Sequence, residues 1–344
     1  MPSNPIVLSN RTSSSQLAAR ILRRNAPWSV ACLALGSALG CASSPPATSA
    51  WPTAPVAASE PVKLDASQGS MSEGLAVHER TAFVGYAGSG EVDTIDLDTG
   101  ALAPYSSLPK PVAGKGFVTG LAFQGNALYG ALVSFVPDVQ AGIYRATGAG
   151  APATLFAKHA EMAFPNGLLF DDAGQLYVTD SAAGAVFRIS PTGDVSKWLA
   201  SDVLVGGKDS CGVGKGVGVP FDIGANGIVR SGDSLYVTNT DKGSIVRIPI
   251  QADGSAGSPV PFAGPSCDDL SGADGLALAP NGDFVVAVNH LNKLVRVDAK
   301  GSISTLLAGA PLDFPTSLVF SGGALYVGNF AFLDSKNPGL IRIP

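Results

Sequence analysis

Histidine, methionine and tryptophan are scarce in this chain of 344 residues, with three of each, and only 14% of its residues are charged. Glycine and proline are abundant instead, at 42 and 25 residues, and both weaken helix interiors. This argues against a helical bundle, while a hydrophobic content of 46% argues against disorder. The net charge is −5 and no basic run follows the N-terminal region, so nucleic acid is a poor partner. The composition favours many short β-strands joined by glycine and proline turns.

Acidic side chains are absent from residues 1–59, where four arginines supply the only charge. The apolar stretch 28–40 is too short to span a bilayer and is typical of the hydrophobic region of a signal peptide. Small residues precede Cys41, as in a bacterial lipobox, although Ala38 stands where leucine is usual. We therefore predict a lipoprotein signal peptide at 1–40, acylation of Cys41 and export to the cell envelope (bacterial outer membrane or periplasm). An ordinary secretory signal cleaved nearby is the alternative.

The segment 41–60 is rich in alanine, serine and proline, which predicts a semi-extended tether. A tether would connect the lipid anchor to a folded body that begins near residue 61. Contact with a membrane is expected only through that anchor.

One phrase recurs six times in the rest of the chain: a polar residue, usually glycine next, then aliphatic residues. Second and third strands follow the phrase in most repeats, and a weaker fourth strand closes most of them. Four strands in each period predict an all-β, six-bladed β-propeller over 61–344, with four antiparallel strands per blade. The sixth repeat ends at its third strand, so we predict that a strand at 61–65 closes the ring. The polar residues that open the repeats are Glu73, Thr119, Asn166, Asn226, Asp274 and Thr316.

These six opening residues are expected to lie beside the central axis, at one face of the propeller, because the strands of a blade alternate in direction. Two carboxylates and two amides in one tunnel require a positive partner, since unpaired buried charge is costly. Calcium accepts about six to eight oxygens in flexible geometry, whereas the ring offers no cysteine or histidine for zinc. We predict Ca²⁺ bound by Glu73, Asn166, Asn226 and Asp274. A structural ring is the alternative, because asparagine and aspartate before glycine also suit turns.

With these residues, the sequence resembles the regucalcin/gluconolactonase family of six-bladed propellers and the related diisopropyl fluorophosphatase and paraoxonase groups. The resemblance implies one axial calcium on the four residues just named, and hydrolysis of lactones or, in some members, phosphotriesters. The phrase at Glu73 lacks the family's usual proline and tryptophan. Phe164-Pro165 stands where gluconolactonase-like members often place an arginine that grips sugar hydroxyls. A more apolar ester or lactone is therefore expected.

The predicted chemistry is metal-assisted hydrolysis. Asp274 is the expected general base or nucleophile, and Glu73 mainly anchors the metal. His290 follows the second strand of blade five; it could act as a base or line the pocket, or be an exposed loop histidine.

Asp180, Asn239, Asn289 and Asn329 recur after second strands. They form either a second polar ring or turn caps, and recurrence in each blade favours caps.

Cys211 and Cys267 are the only cysteines of the folded body. An exported protein permits a disulfide, which would tie the long loop 201–219 over the site as a lid. The separation of the two Cα atoms decides whether the bridge forms.

Two other functions remain to be weighed. The body contains no G-x-S-x-G motif, which disfavours a serine hydrolase. A non-catalytic, NHL-like propeller that binds a partner on its loop face is the main alternative. A quinone-dependent sugar dehydrogenase is weaker, because no basic cluster on the site face would hold such a cofactor.

Overall fold

The computed structural model describes residues 51–52, 56, 58, 62–65, 71–207, 210–211, 213, 222–331 and 338–344. The predicted signal peptide, Cys41 and most of the predicted tether lie outside the described residues. No helix in these ranges has the length and apolar character needed to cross a membrane.

The described residues form six antiparallel sheets of four strands each. The closing strand β1 is Val62–Lys63. Blades one and two contain β2 Ser72–His78, β3 Thr81–Tyr86, β4 Glu91–Asp96, β5 Leu102–Ser107, β6 Gly116–Gln124, β7 Ala127–Ser134, β8 Gly142–Ala146 and β9 Thr154–Ala157. Blades three and four contain β10 Pro165–Phe170, β11 Leu176–Asp180, β12 Ala185–Ile189, β13 Val195–Ala200, β14 Ala225–Ser231, β15 Ser234–Asn239, β16 Ser244–Pro249 and β17 Val260–Ala263. The short helix α1 Cys267–Leu270 precedes β18 Ala273–Leu278, β19 Phe284–Val288, β20 Lys293–Val297, β21 Ile303–Ala308, β22 Pro315–Ser321, β23 Ala324–Asn329 and β24 Gly339–Ile343.

The innermost strands β2, β6, β10, β14, β18 and β22 contact one another in turn, and β22 contacts β2. The predicted six-bladed propeller is confirmed. Its ring closes as expected, because β1 pairs with β24 and supplies the outer strand of blade six. Val62 lies opposite Leu340 in this pairing, so the last blade combines both ends of the folded body.

The hydrophobic core lies between adjacent blades. Every residue of β11 and β19 is buried, whereas most residues of the outer strands β5 and β13 are exposed or half-buried. One apolar cluster joins Tyr177 and Val186 of blade three to Leu235 and Val237 of blade four. Strands covered on both faces read as short continuous apolar runs, which is why the second strand of each repeat is so visible in the sequence.

The chain already contacts the propeller within the segment predicted as a tether. Trp51 is buried, and its ring meets that of Phe320 edge-on at a centroid distance of 4.7 Å. Val56 donates its backbone N–H to the carbonyl of Leu306. The tether therefore includes residues that pack on blades five and six.

Candidate metal centre and active site

A β-bulge lies at the ring position of each innermost strand. In β10, for example, Pro165 pairs with Asp180 and Leu168 with Val178, so that Asn166 and Gly167 together oppose one residue. The register shifts at the corresponding point in the other five blades. A bulge re-aims a side chain out of the regular alternation. Here it turns the ring residue of each blade towards the axis.

The glycine that follows five of the six ring residues allows the blades to approach closely at this bulge. A Cβ at Gly227 would lie under 3.0 Å from the carbonyl oxygen of Asp274. Four other glycines meet the carbonyl oxygen of the next ring residue in the same way: Gly74, Gly120, Gly167 and Gly275. Ser317 takes this place in blade six and instead donates a hydrogen bond to the carbonyl of Glu73. The five glycines are therefore required by contact between neighbouring backbones.

Glu73, Asn166, Asn226 and Asp274 line two cavities, one on each side of the ring. The cavity on one side is walled by aliphatic side chains of the innermost strands, among them Leu75 and Ile228. The cavity on the other side has a volume of about 690 Å³ including its open mouth. The structure thus brings the four predicted metal ligands together at the floor of an open pocket.

The two ring threonines differ from these four residues. Thr119 donates its hydroxyl proton to the carbonyl of Pro165 at 2.8 Å. Thr316 lies 3.3 Å from the carbonyl oxygens of Ser72 and Glu73. Both hydroxyls therefore contact backbone carbonyls of the next blade and help to hold adjacent blades together.

The amide of Asn166 is oriented by a serine of the same blade. Its Nδ2 donates to Ser181 Oγ at 3.1 Å, and that hydroxyl donates to the carbonyl of Ala225 at 2.7 Å. Because the single hydroxyl proton is already used, Ser181 Oγ is an acceptor for the amide. The Oδ1 atom of Asn166 is thereby directed away from Ser181 and into the cavity.

Blade four repeats this arrangement with threonine in place of serine. Asn226 Nδ2 donates to Thr240 Oγ1 at 3.0 Å, and Thr240 donates to the carbonyl of Ala273 at 2.8 Å. Among the described residues, no donor contacts the Oδ1 atom of Asn226 or of Asn166. The ring therefore presents two amide oxygens to which the described residues offer no donor.

The two ring carboxylates face each other in a poorly solvated place. Burial raises the pKa of Glu73 well above its usual value, and the nearby Asp274 carboxylate raises that pKa further. Burial also raises the pKa of Asp274 to about 7, against the opposite effect of hydrogen bonds from Asn289 and Asn226. Glu73 keeps some exposure to the cavity, but none of the hydrogen bonds among the described residues reaches its carboxylate. This pair lacks a compensating positive charge within the described structure.

The donor set fits a hard cation. It consists of two carboxylates and two amide oxygens, without sulfur or imidazole, which is the set that calcium accepts. Among the described residues, no group of three or more histidine, cysteine, aspartate or glutamate side chains could hold a metal, so the asparagines are needed to complete any site. The two amide oxygens and the two neighbouring carboxylates are thus the groups that a divalent cation would bind.

Asn289 is an exception among the four polar residues that follow second strands. Asp180, Asn239 and Asn329 bind backbone groups of nearby connectors, as expected for turn caps. Asn289 instead donates its Nδ2 to Asp274 Oδ2 at 2.8 Å, while its buried Oδ1 has no partner. Three of the four residues are structural, and the fourth belongs to the site.

The pocket wall above the ring is largely apolar. Its aromatic members are Phe117, Phe164, Phe314 and Phe330, and Ala87, Val213 and Ile223 complete it. Phe164 occupies this wall at the place where the sequence lacks the arginine of gluconolactonase-like members. The wall among the described residues carries no lysine, arginine or histidine.

The long connector between blades three and four is anchored at several points beside the pocket. The sulfur atoms of Cys211 and Cys267 are bonded, with their Cα atoms 5.2 Å apart. Asp241 Oδ2 accepts hydrogen bonds from the backbone N–H groups of Gly207 and Ile223, two residues of the connector that are far apart along the chain. Ile223 lines the pocket, so this anchoring positions part of the wall. Residues 208–209, 212 and 214–219 of the predicted lid lie outside the described residues.

Comparison with known proteins bears directly on this centre. Residues 223–328 match the family described as SMP-30/gluconolactonase/LRE-like region. The resemblance to this family is confirmed. The matched segment includes Asn226 and Asp274, whereas Glu73 and Asn166 precede it. A search of curated proteins finds no match to the chain.

Solved structures share the fold at low sequence identity. A calcium-binding regucalcin from Agrobacterium tumefaciens is 18% identical, with a TM-score of 0.60 over 84% of this chain and 94% of that protein. A gluconolactonase from Xanthomonas campestris is 17% identical, with a TM-score of 0.56 over 86% and 97%. A virginiamycin B lyase from Staphylococcus aureus is 14% identical, with a TM-score of 0.53 over 84% and 98%. At these identities the likeness establishes the propeller fold alone, and the fold hosts more than one chemistry.

His290 lies outside the pocket wall. Its side chain is exposed, and its Nδ1 is 3.3 Å from Ser271 Oγ. It is not among the described residues that line the pocket, although Asn289 beside it contacts Asp274. A catalytic part for His290 stays a prediction.

Sequence reasoning missed Ser181 and Thr240, and it favoured a turn cap for Asn289, which instead contacts Asp274. The two hydroxyl residues each follow the polar residue at the end of a second strand, and among the six blades this hydroxyl occurs only where the ring residue is asparagine. That coincidence was a usable signal. The aromatic residues of the wall gave a weaker one, since phenylalanine is common in any hydrophobic core.

Proposed function

We propose that this protein is a calcium-dependent hydrolase that acts on a lactone or ester at the axial ring. The observation that carries the proposal is the ring itself: two opposed carboxylates and two amide oxygens, fixed by Ser181 and Thr240, at the floor of an open pocket. The family resemblance supports a lactonase-like propeller. Hydrolysis at a metal centre is the chemistry that accounts for both the ring geometry and the family resemblance.

The ligands of the calcium ion would be Glu73, Asn166, Asn226 and Asp274. When bound, a calcium ion supplies a Lewis acid that polarises the carbonyl oxygen of a substrate. Glu73 contributes negative charge and lies beside Asp274, but no hydrogen bond among the described residues orients it for proton transfer. Its part is therefore to hold the cation.

Asp274 is the proposed general base; the alternative is that it acts as the nucleophile. Asn289 donates to its Oδ2, which fixes the orientation of a carboxylate that would accept a proton from an attacking water molecule. Burial keeps the proton affinity of this carboxylate high, because its charged form is poorly solvated.

Export to the cell envelope remains part of the proposal. The bond between Cys211 and Cys267 supports it, since disulfides persist mainly in oxidising compartments. Acylation of Cys41 would then anchor the propeller to a membrane, and mass spectrometry of the purified N-terminal peptide checks this.

The proposed function is tested by calorimetric titration of Ca²⁺ into chelator-stripped protein, beside an Asp274→Asn variant. The parent is expected to bind one Ca²⁺ per chain and to hydrolyse a member of a lactone and ester panel. Asp274→Asn is expected to bind at least tenfold more weakly and to lose turnover, because it removes both a charge and the base. Asp172→Asn is the matched control, since this carboxylate is fully exposed on the surface of blade three.

Equal binding by the parent and Asp274→Asn would move the metal away from the ring. If neither protein binds Ca²⁺ and no substrate is turned over, the hydrolase proposal fails. The non-catalytic propeller that binds a partner through its loop face would then be the better description.

A further inference from the structure

The aromatic wall has a regular origin in the sequence. In blades two, three and six the residue two positions before the ring residue is phenylalanine, namely Phe117, Phe164 and Phe314. In blades four and five the same position is glycine, Gly224 and Gly272. The three phenylalanines all line the pocket. At this position the repeat therefore places an aromatic side chain in blades two, three and six, and no side chain in blades four and five.

Phe314 is held in this wall at a cost in backbone energy. Its φ of +55° lies in the left-handed region, which is rare for a bulky residue. Asn292 Oδ1 accepts its N–H at 2.6 Å, and its carbonyl accepts the N–H of Phe330 at 3.2 Å. Strain of this kind persists only where the surroundings enforce it, and it concentrates at ligand sites.

Phe314 and Phe330 form one apolar cluster with Ala87, and Met71 packs against it. The ring centroids of Phe314 and Phe330 are 6.1 Å apart. Both side chains are buried, yet both line the pocket. The cluster is thus a firm apolar surface at the edge of the pocket from blade six to blade one.

The donor groups that line the pocket outside the ring are engaged, whereas the buried Oδ1 atom of Asn289 is an acceptor without a partner among the described residues. Thr240 donates to Ala273 and Asn289 donates to Asp274. The described wall therefore offers few donors to a hydroxylated substrate, whose hydroxyl groups would lose water without replacement. An alkyl or aryl group, in contrast, gains from leaving water here.

We infer that Phe117, Phe164, Phe314 and Phe330 form a subsite for an apolar substituent, so that the substrate is a lactone or ester carrying an alkyl or aryl group. This inference rests on the proposed hydrolase function for the reacting group, but the subsite itself is a property of binding. Each buried methylene is expected to strengthen binding about fourfold. A sugar-derived lactone is expected to bind poorly.

The test uses γ-lactams, which resist hydrolysis, titrated calorimetrically into the calcium-loaded protein. Affinity is expected to rise with the length of an alkyl substituent from none to hexyl, and a polyhydroxylated lactam is expected to bind weakly. Phe117→Ser is expected to reduce the affinity for the hexyl lactam about tenfold, without changing the affinity for Ca²⁺. Phe123→Ser is the matched control, because Phe123 lies on the same strand β6 but stacks on His78, away from the pocket.

Phe314→Ser is the second variant. It is expected to give the same loss, and circular dichroism establishes that it folds. An affinity independent of chain length, or the best binding by the polyhydroxylated lactam, would overturn the subsite. If the hexyl lactam binds and no lactone or ester is hydrolysed, the subsite stands and the hydrolase proposal fails. If only sugar-derived lactones are hydrolysed, the hydrolase proposal stands and the subsite fails.

Discussion

At the scale of single residues, the site depends on side chains that do not belong to the ring. An asparagine amide presents either its oxygen or its nitrogen to a cavity, and only the oxygen suits a cation. Ser181 and Thr240 decide this for Asn166 and Asn226 by accepting the amide nitrogens. Partners of this kind orient ligands, and their loss weakens metal sites about 10–100-fold.

Substitution of Ser181 by alanine tests this orientation. The Ser181→Ala variant leaves the amide of Asn166 without its acceptor, so we expect Ca²⁺ affinity to fall about tenfold. Ser181→Thr keeps the hydroxyl, as Thr240 does in the next blade, and is expected to retain most of the affinity. Calorimetric titration measures both, with Ser196→Ala on the exposed outer strand as a control. Equal affinity of Ser181→Ala and the parent would contradict the orienting part of Ser181.

The sequence predicted which residues form the ring but could not rank all of their neighbours. Glu73, Asn166, Asn226 and Asp274 were predictable because each opens a repeat, and the topology gathers such residues at the axis. Asn289 was grouped with Asn239, but the register pairs Asn239 with Ala225 and Val288 with Ala273. Asn289 therefore stands one position later, in the place that Ser181 and Thr240 take in blades three and four. The error arose because an asparagine after a second strand was read without the register of that strand.

At the scale of strands, the bulge, followed by glycine in five of the six blades, explains why ring residues of four types fit one backbone design. The strand pattern and the closing strand were predictable from the alternation of apolar runs and turns. The bulge was not predictable. Two residues of the inner strand lie opposite one residue of the second strand, and this leaves the order of polar and apolar residues in the sequence unchanged. It becomes visible only as a shift of register between β14 and β15.

Replacement of a ring glycine by alanine tests this close approach. In Gly227→Ala the new Cβ would lie under 3.0 Å from backbone atoms of Asp274 and Leu276, which cannot move independently of blade five. We expect the free energy of unfolding to fall by about 1–3 kcal/mol or more. Urea unfolding followed by circular dichroism measures it. Gly148→Ala, where a Cβ meets nothing within 4 Å, is expected to change stability by less than about 0.5 kcal/mol. Similar losses in both variants would mean that the glycines are not required by contact.

At the scale of the whole molecule, the ring links blades that are far apart in sequence. Its four proposed ligands come from blades one, three, four and five, so one cation would hold two-thirds of the blades at the axis. The closing strand β1 acts at the opposite, outer edge of blade six. A ligand that binds only the folded state stabilises it in proportion to the logarithm of its concentration. Calcium is therefore expected to raise the stability of the entire propeller.

The pH dependence of that stability is the sharpest test of the carboxylate pair in the intact protein. Asp274 has a pKa of about 7 in the folded protein, against an ordinary value of 3.8. Between these values the folded state binds more protons than the unfolded state, so the stability of chelated protein must fall as the pH rises. The slope is up to about 1.4 kcal/mol per pH unit for each such group, and Glu73 adds to it in the same direction.

Thermal unfolding in chelator should therefore show a falling Tm from about pH 4 to pH 7. Excess Ca²⁺ should raise the Tm most at the upper end of this range, where both carboxylates are charged. In Asp274→Asn the slope in chelator should be smaller, since one of the two groups no longer titrates. A Tm that rises with pH in chelated parent protein would mean that the two carboxylates are already compensated within the protein, and the axial metal site would lose its main support.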